Sequence, residues 1–287
     1  MTLRRIVACG ADGLRGGEAD DGQLLARFTD ARDRELRGDD RLFLVESPRV
    51  VRRYLRHRWP DRWACRAVLA TPACWPELAP LVEARGEAID VFLGDEAWMT
   101  SLSGYRLHGG ALALGERTYW PPATETLLAA LPPGDATVLV AAGVVQVDNV
   151  GTLFRSAACF GIAGILLDGD CADPLLRKCV RFSMGRVFDL AWAVSRDLPA
   201  DLGRLRDAGF RIAAIEQAPG ARPIAELPTA GRVALVVGNE ARGVPASVLA
   251  ACDATYVIPS VGPDEDGEER SLNVAVAASI ALHQRAR

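Results

Sequence analysis

An asparagine and an arginine six residues apart, in Val147-Asp148-Asn149-Val150-Gly151-Thr152-Leu153-Phe154-Arg155, are the first groups in this chain suited to chemistry. An amide both donates and accepts, and a guanidinium can grip a phosphate or carboxylate with two parallel N–H bonds. A carboxylate, Glu240, follows in Leu235-Val236-Val237-Gly238-Asn239-Glu240-Ala241-Arg242-Gly243, framed by glycines that allow close backbone approach and a turn. A hydroxyl and a second amide, Ser271 and Asn273, precede the last apolar stretch. Together these side chains suit a phosphate and a sugar hydroxyl. Each also has a plainer role open to it. Asn149 can cap the helix that Gly151 begins, Arg155 can be a solvated cation and Glu240 a turn carboxylate. Ser271 can cap the final helix, and Asn273 can be structural hydrogen-bonding glue.

Each group sits in a polar loop or first turn after an apolar strand. The second half of the chain has strand candidates at 137–145, 163–169, 187–194, 211–216, 232–238 and 254–259. They are near-continuous apolar runs, as a parallel sheet covered on both faces requires. The first half has candidates at 41–47, 66–71, 88–94 and 109–115, with helical patterns at 48–58, 75–84 and 95–103 between them. That alternation describes a small α/β domain. Proline pairs at 121–122 and 132–133 mark a boundary, dividing the chain into 1–117, a linker at 118–136, and 137–287.

The other usual devices of α/β enzymes are missing. No Gly-x-Gly-x-x-Gly follows a strand, no phosphate-binding Gly-x-x-x-x-Gly-Lys-Ser/Thr occurs, and no serine sits in Gly-x-Ser-x-Gly. Seven cysteines are scattered without a Cys-x-x-Cys pair, and the three histidines are not spaced with them as ligands. The reading is reduced core thiols and no metal site. No apolar run approaches the roughly 20 residues of a membrane span, and the N-terminus has too short an apolar segment for a secretory signal. These features point to a cytoplasmic protein with no membrane partner. The net charge of −4 carries no global mark of nucleic-acid binding, yet residues 1–66 hold 15 Arg against 11 Asp plus Glu. Arg49, Arg52, Arg53, Arg56 and Arg58 crowd one predicted helix whose Val50, Val51, Tyr54 and Leu55 would face inward. The stripe is either a solvated face or an RNA-phosphate patch.

Taken in order, Asn-x-Gly-x-x-x-Arg with Phe160-Gly161, Gly-Asn-Glu-x-x-Gly, and Ile258-Pro259 with Ser271-Leu272-Asn273-Val274 resemble the three signature motifs of the SpoU/TrmH branch of SPOUT RNA methyltransferases. The resemblance spans residues 138–283. The first region more loosely resembles the ribosomal-protein-like substrate-binding domain of rRNA-modifying members, through Phe43-Leu44-Val45-Glu46 and His108-Gly109-Gly110-Ala111-Leu112-Ala113. The implied fold is a small α/β RNA-binding domain followed by a parallel-sheet SPOUT domain with a deep trefoil knot, a rare exception to the rule against knots. The implied assembly is a homodimer with a composite site. S-adenosylmethionine is the implied cofactor, with Gly238, Ile258 and Leu272 around it and Glu216, Gln217 and Ala218 near its methionine end. Asn149, Arg155, Glu240, Ser271 and Asn273 match the family's polar site positions.

The resemblance implies transfer of a methyl group to a ribose 2′-hydroxyl, in rRNA rather than tRNA given the extra domain. The rival reading is a catalytically silent RNA-binding protein that keeps the fold. A guanidinium resists deprotonation, so Arg155 is read as a phosphate clamp rather than a base. Ser271 and Asn273 would position the hydroxyl or the methyl donor. Glu240, water or a substrate phosphate remain open as proton acceptor. Two positions depart from the pattern: Ser260 replaces a larger apolar residue, and 262–270 inserts five carboxylates into the third loop.

Overall fold

Buried aliphatic runs build both sheets of the computed structural model, which describes residues 3–10, 13–15, 19–29, 41–57, 63–103, 109–118, 123–262 and 271–287. Arg58, His108 and 263–270 of the acidic stretch lie outside the described residues. Two compact units form. One comprises Met1–Trp120 and Leu175–Asp189, the other Pro121–Pro174 and Leu190–Arg287. The chain thus crosses between units three times, where one linker at 118–136 implies a single crossing.

The first unit holds a sheet of β1 (Leu3–Gly10), β2 (Gly13–Arg15), β3 (Leu42–Glu46), β4 (Trp63–Ala70), β5 (Ile89–Leu93) and β6 (Ala111–Arg117), in the order β2-β1-β5-β4-β6-β3. The sheet is mixed: β5 pairs parallel with β1 and β4, while β6 pairs antiparallel with β3 and β4. Helices Pro48–Leu55, Trp75–Ala84 and Glu96–Ser103 fall where the periodicity places them. The strand expected over 187–194 does not start at Val187. Arg186–Phe188 is a 3-10 turn, and the strand itself is β9 (Ala191–Ser195). The reason is packing: Phe188 stacks on Phe43 at 6.0 Å, lies 4.9 Å from Tyr54 and meets Trp63 edge-on at 5.6 Å. Aromatic burial of this kind outweighs the weak strand preference of a short apolar run.

The second unit carries β7 (Ala136–Ala141), β8 (Gly164–Asp168), β9, β10 (Arg211–Ile215), β11 (Arg222–Pro223), β12 (Arg232–Val237) and β13 (Ala254–Val257). Their order is β11-β13-β10-β12-β7-β8-β9, and every pair is parallel. The α/β class and parallel sheet read from the sequence therefore hold. Val138, Leu139 and Val140 in β7 and Ala234, Leu235 and Val236 in β12 are fully buried, as central strands covered on both faces must be. Helix Val147–Cys159 buries Phe154 edge-on against Trp192 at 6.1 Å and packs on the last helix, Val274–Arg285. Hydroxyls of Ser156 and Ser279 meet at 2.8 Å where these two helices touch.

Two helix starts differ from expectation. Asn149 lies within the first turn of a helix that begins at Val147, so it is not a cap. Asn273, not Ser271, caps the last helix, its Oδ1 accepting from the N–H of Ala275 at 2.9 Å and of Val276 at 3.4 Å. Both residue types suit the position; the chain enters the helix two residues later than the Ser271 reading requires.

Candidate functional site

The loops that leave β10, β12 and β13 lie side by side at the C-terminal edge of the sheet, where ligands of open α/β folds collect. With the 271–274 stretch they enclose a cavity of about 840 Å³. Leu249, Ile258, Leu272, Val274 and Ala277 give it apolar surface, while Glu216 and Glu240 give it carboxylates. A planar heteroaromatic base next to a cationic centre suits such a lining. Gly238, Ile258, Leu272, Ser271, Gln217 and Ala218 all line this cavity too, so every cofactor position expected from the sequence meets there.

The 238–244 loop is built by its own residues. Asn239 Nδ2 donates to the Gly143 carbonyl at 2.8 Å, tying the loop to the end of β7. Its Oδ1 accepts from the N–H of Ala241 at 2.9 Å and of Arg242 at 3.1 Å. Gly238 has no space for a side chain, because a Cβ there would lie 2.3 Å from the Gly243 carbonyl carbon and the Val244 nitrogen. Gly243 turns at φ +67°, and a Cβ on it would meet Glu216 Oε2 at 2.6 Å. Glu216 in turn accepts from the Val244 N–H at 2.7 Å and, through its other oxygen, from the Gln217 N–H at 2.9 Å. Its carboxylate therefore joins the β10 loop to the β12 loop.

At the rim three expected residues form one chain of hydrogen bonds. The helix N–H groups fix Asn273 Oδ1, so Asn273 Nδ2 is left to donate to Asn149 Oδ1, at 3.0 Å. Asn149 Nδ2 then donates to Glu240 Oε1. That N–H fixes the orientation of the Glu240 carboxyl group on this side. Asn149 and Asn273 also border an open groove of about 400 Å³ beside Val276, Ser279 and Ile280.

Arg155 stands apart from these residues. It is exposed, lines neither the cavity nor the groove, and makes no ion pair with a carboxylate among the described residues. Its helix fixes this: Phe154 and Ala157 take the buried face, leaving Arg155 and Cys159 outside. Within one chain, then, the structure gathers Asn149, Glu240, Ser271 and Asn273 but not Arg155. Sequence reasoning missed the work of Asn239; the signal was available, an Asn directly after the glycine that follows a strand. Among the described residues no group of three metal-ligating side chains occurs.

Residues 136–283 match the SpoU rRNA Methylase family. A tRNA/rRNA methyltransferase of Mycobacterium bovis, described as uncharacterized, is 32% identical over 250 residues, covering 86% of this chain and 81% of that one. The 23S rRNA (guanosine(2553)-2'-O)-methyltransferase of Bacillus subtilis is 34% identical over 146 residues, 51% of this chain and 56% of the other. Among solved structures, the AdoMet-bound rRNA methyltransferase from Sinorhizobium meliloti superposes with a TM-score of 0.75 over 97% of each chain at 22% identity, a likeness of fold.

Proposed function

Because the chain belongs to the SpoU rRNA methylase family and is an RNA methyltransferase, we propose that it methylates a ribose 2′-hydroxyl in rRNA. S-adenosylmethionine, when bound, supplies an electrophilic methyl group. The observation that carries the reading is the Asn273–Asn149–Glu240 chain at the mouth of the cavity. It suits a hydroxyl that must be oriented and relieved of its proton.

This chain's residues divide the task. The cavity's apolar side, Leu249, Ile258 and Leu272, would hold the adenine and exclude water, and Glu216 holds the loops that frame it. Asn149 keeps one oxygen of Glu240 occupied, leaving the other to accept the hydroxyl proton; water or a substrate phosphate is the alternative acceptor. Ser271 positions the hydroxyl or the methyl donor from the same wall. Arg155 clamps the phosphate next to the reacting ribose, stabilising the developing alkoxide by charge.

A composite site in a homodimer accommodates Arg155, which lies outside the cavity of its own chain. Val276, 47% exposed, provides apolar surface in the groove for that contact. The family's deep trefoil knot belongs to the same reading, supported by the 258–261 and 271–274 stretches sharing one cavity with the 238–244 loop. The first unit serves as the RNA-binding domain. Cytoplasmic location goes with such a substrate, and among the described residues no helix is long and apolar enough to cross a membrane.

The test is methyl transfer from labelled S-adenosylmethionine to unmodified 23S rRNA and tRNA transcripts, digested to nucleosides and read by mass spectrometry. A 2′-O-methylnucleoside from the rRNA is expected. A methyl group left on the free base after glycosidic cleavage refutes the ribose assignment, and label only in tRNA refutes the rRNA one. Arg155→Ala is expected to lower transfer by at least about 100-fold, as removal of one preorganised charged group does, while S-adenosylmethionine binding by calorimetry stays unchanged.

A further inference from the structure

Resting on RNA as the substrate, we propose that the arginines of helix Pro48–Leu55 and of the Met184–Asp189 turn form one phosphate-gripping surface on the first unit. Each of Arg49, Arg52, Arg53 and Arg56 has another of the four three or four residues away, a stripe about 10 Å long on one helix face. The opposite face holds Val50, Val51, Tyr54 and Leu55, all buried, so the arginines cannot turn inward. With Asp189 they line a depression of about 380 Å³.

The turn completes the surface. Arg53 donates to the Met184 carbonyl at 2.6 Å and pairs with Asp189 at 3.0 Å, and Arg186 pairs with the same Asp189 oxygen at 2.8 Å. Arg52 pairs with Glu77. Five guanidinium groups thus share two carboxylates, an excess of three positive charges. Burial, and then the cations of Arg186 and Arg49, hold the Arg53 guanidinium below its ordinary pKa even with Asp189 opposing them. Asp189 is already bonded twice, whereas Arg49 and Arg56 are exposed and make no ion pair among the described residues. Arg49 and Arg56 are therefore the two lining cations left to take an outside anion. Guanidinium forks match phosphate oxygens in pairs, which makes a phosphodiester backbone the fitting occupant. Arg53 and Asp189 act as the rigid frame, and Arg49 and Arg56 as the grips.

Filter binding of the full chain to an unmodified 23S rRNA transcript across a KCl series tests this. For Arg49→Ala/Arg56→Ala the expected result is weaker binding and a salt slope shallower by about 1.4, roughly 0.7 for each single-strand phosphate that is no longer neutralised. Calorimetric S-adenosylmethionine affinity should stay at the wild-type value, which shows that the variant is folded. Arg211→Ala, an exposed arginine of the second unit, should change neither quantity. Wild-type affinity and slope in the double variant overturn the surface, and so does an equal loss in Arg211→Ala. A polyglutamate peptide that binds the wild-type chain but not the double variant, with rRNA binding unaffected, reassigns the surface to an acidic protein. A wild-type chain that binds S-adenosylmethionine but no rRNA overturns the RNA reading, and this surface with it.

Discussion

Glu216 shows how a site residue can act through its neighbours. Its two oxygens accept from the backbone of Val244 and Gln217, so its charge is directed into the loop. Glu216→Ala leaves the Val244 N–H without its acceptor, a loss of about 1.5–3 kcal/mol for a charged hydrogen bond. The expected outcome is a KM for S-adenosylmethionine raised by roughly 10- to 100-fold with little change in kcat. Glu216→Gln retains a carbonyl acceptor for Val244 and should recover most of the affinity; a Gln variant as poor as the Ala variant would mean that charge, not loop geometry, is what matters. Gly238→Ala tests the same loop from the other side. A methyl group 2.3 Å from two backbone atoms has nowhere to go, so cofactor binding measured by calorimetry should vanish. Affinity within a few-fold of wild type would contradict the tight approach. The sequence made Glu240 visible as a polar group after a strand and Asn273 as one at the start of the last helix, but the Asn149–Asn273 bond that links them spans 124 residues and no local pattern encodes it.

The helix Pro48–Leu55 ends beside a buried imidazole. Arg85 donates to His57 Nε2 at 2.8 Å and, through its other nitrogen, to the Trp63 carbonyl at 2.8 Å. Burial first, then the Arg85 cation, push the His57 pKa from 6.5 down to about 4, with the Trp63 carbonyl opposing. Between those values the unfolded chain binds a proton that the folded chain refuses. This contribution to stability is complete above pH 6.5 and lost as pH falls to 4, on the order of 3 kcal/mol in all. Urea unfolding from pH 7 to 4.5 should show a steeper loss for the wild-type protein than for His57→Gln; parallel curves would sink the assignment. At the last helix, Asn273→Ala removes the cap and should cost about 1 kcal/mol, where Ser271→Ala should cost nothing measurable in thermal unfolding. Most strands were legible because short aliphatic runs between turn residues are usually buried in a sheet. Val187 and Phe188 were not, because a short apolar run reads alike whether it pairs with a strand or fills an aromatic cluster, and only Phe43, Tyr54 and Trp63, far away in sequence, decide between them.

For the whole molecule, light scattering at micromolar concentration should give twice the 30.7 kDa of one chain. A monomer would contradict the composite site. The two α/β halves were legible from proline pairs and strand spacing, but the return of Leu175–Asp189 to the first unit was not, since nothing in its composition marks it as foreign to its surroundings. That return sets a timetable for synthesis. When Trp120 has been made, the first unit still lacks Phe188 from its aromatic cluster and Arg177 from its ion pair with Glu46. It must wait for 69 more residues, about 3–14 s at ordinary rates of translation. During that interval Phe43, Tyr54 and Trp63 lack the ring of Phe188 that packs on them, and the second unit starts to emerge before the first can close. Separately expressed, Met1–Trp120 should therefore aggregate, and an exchange of N-terminal domains between relatives will succeed only if the fifteen residues from Leu175 to Asp189 travel with them.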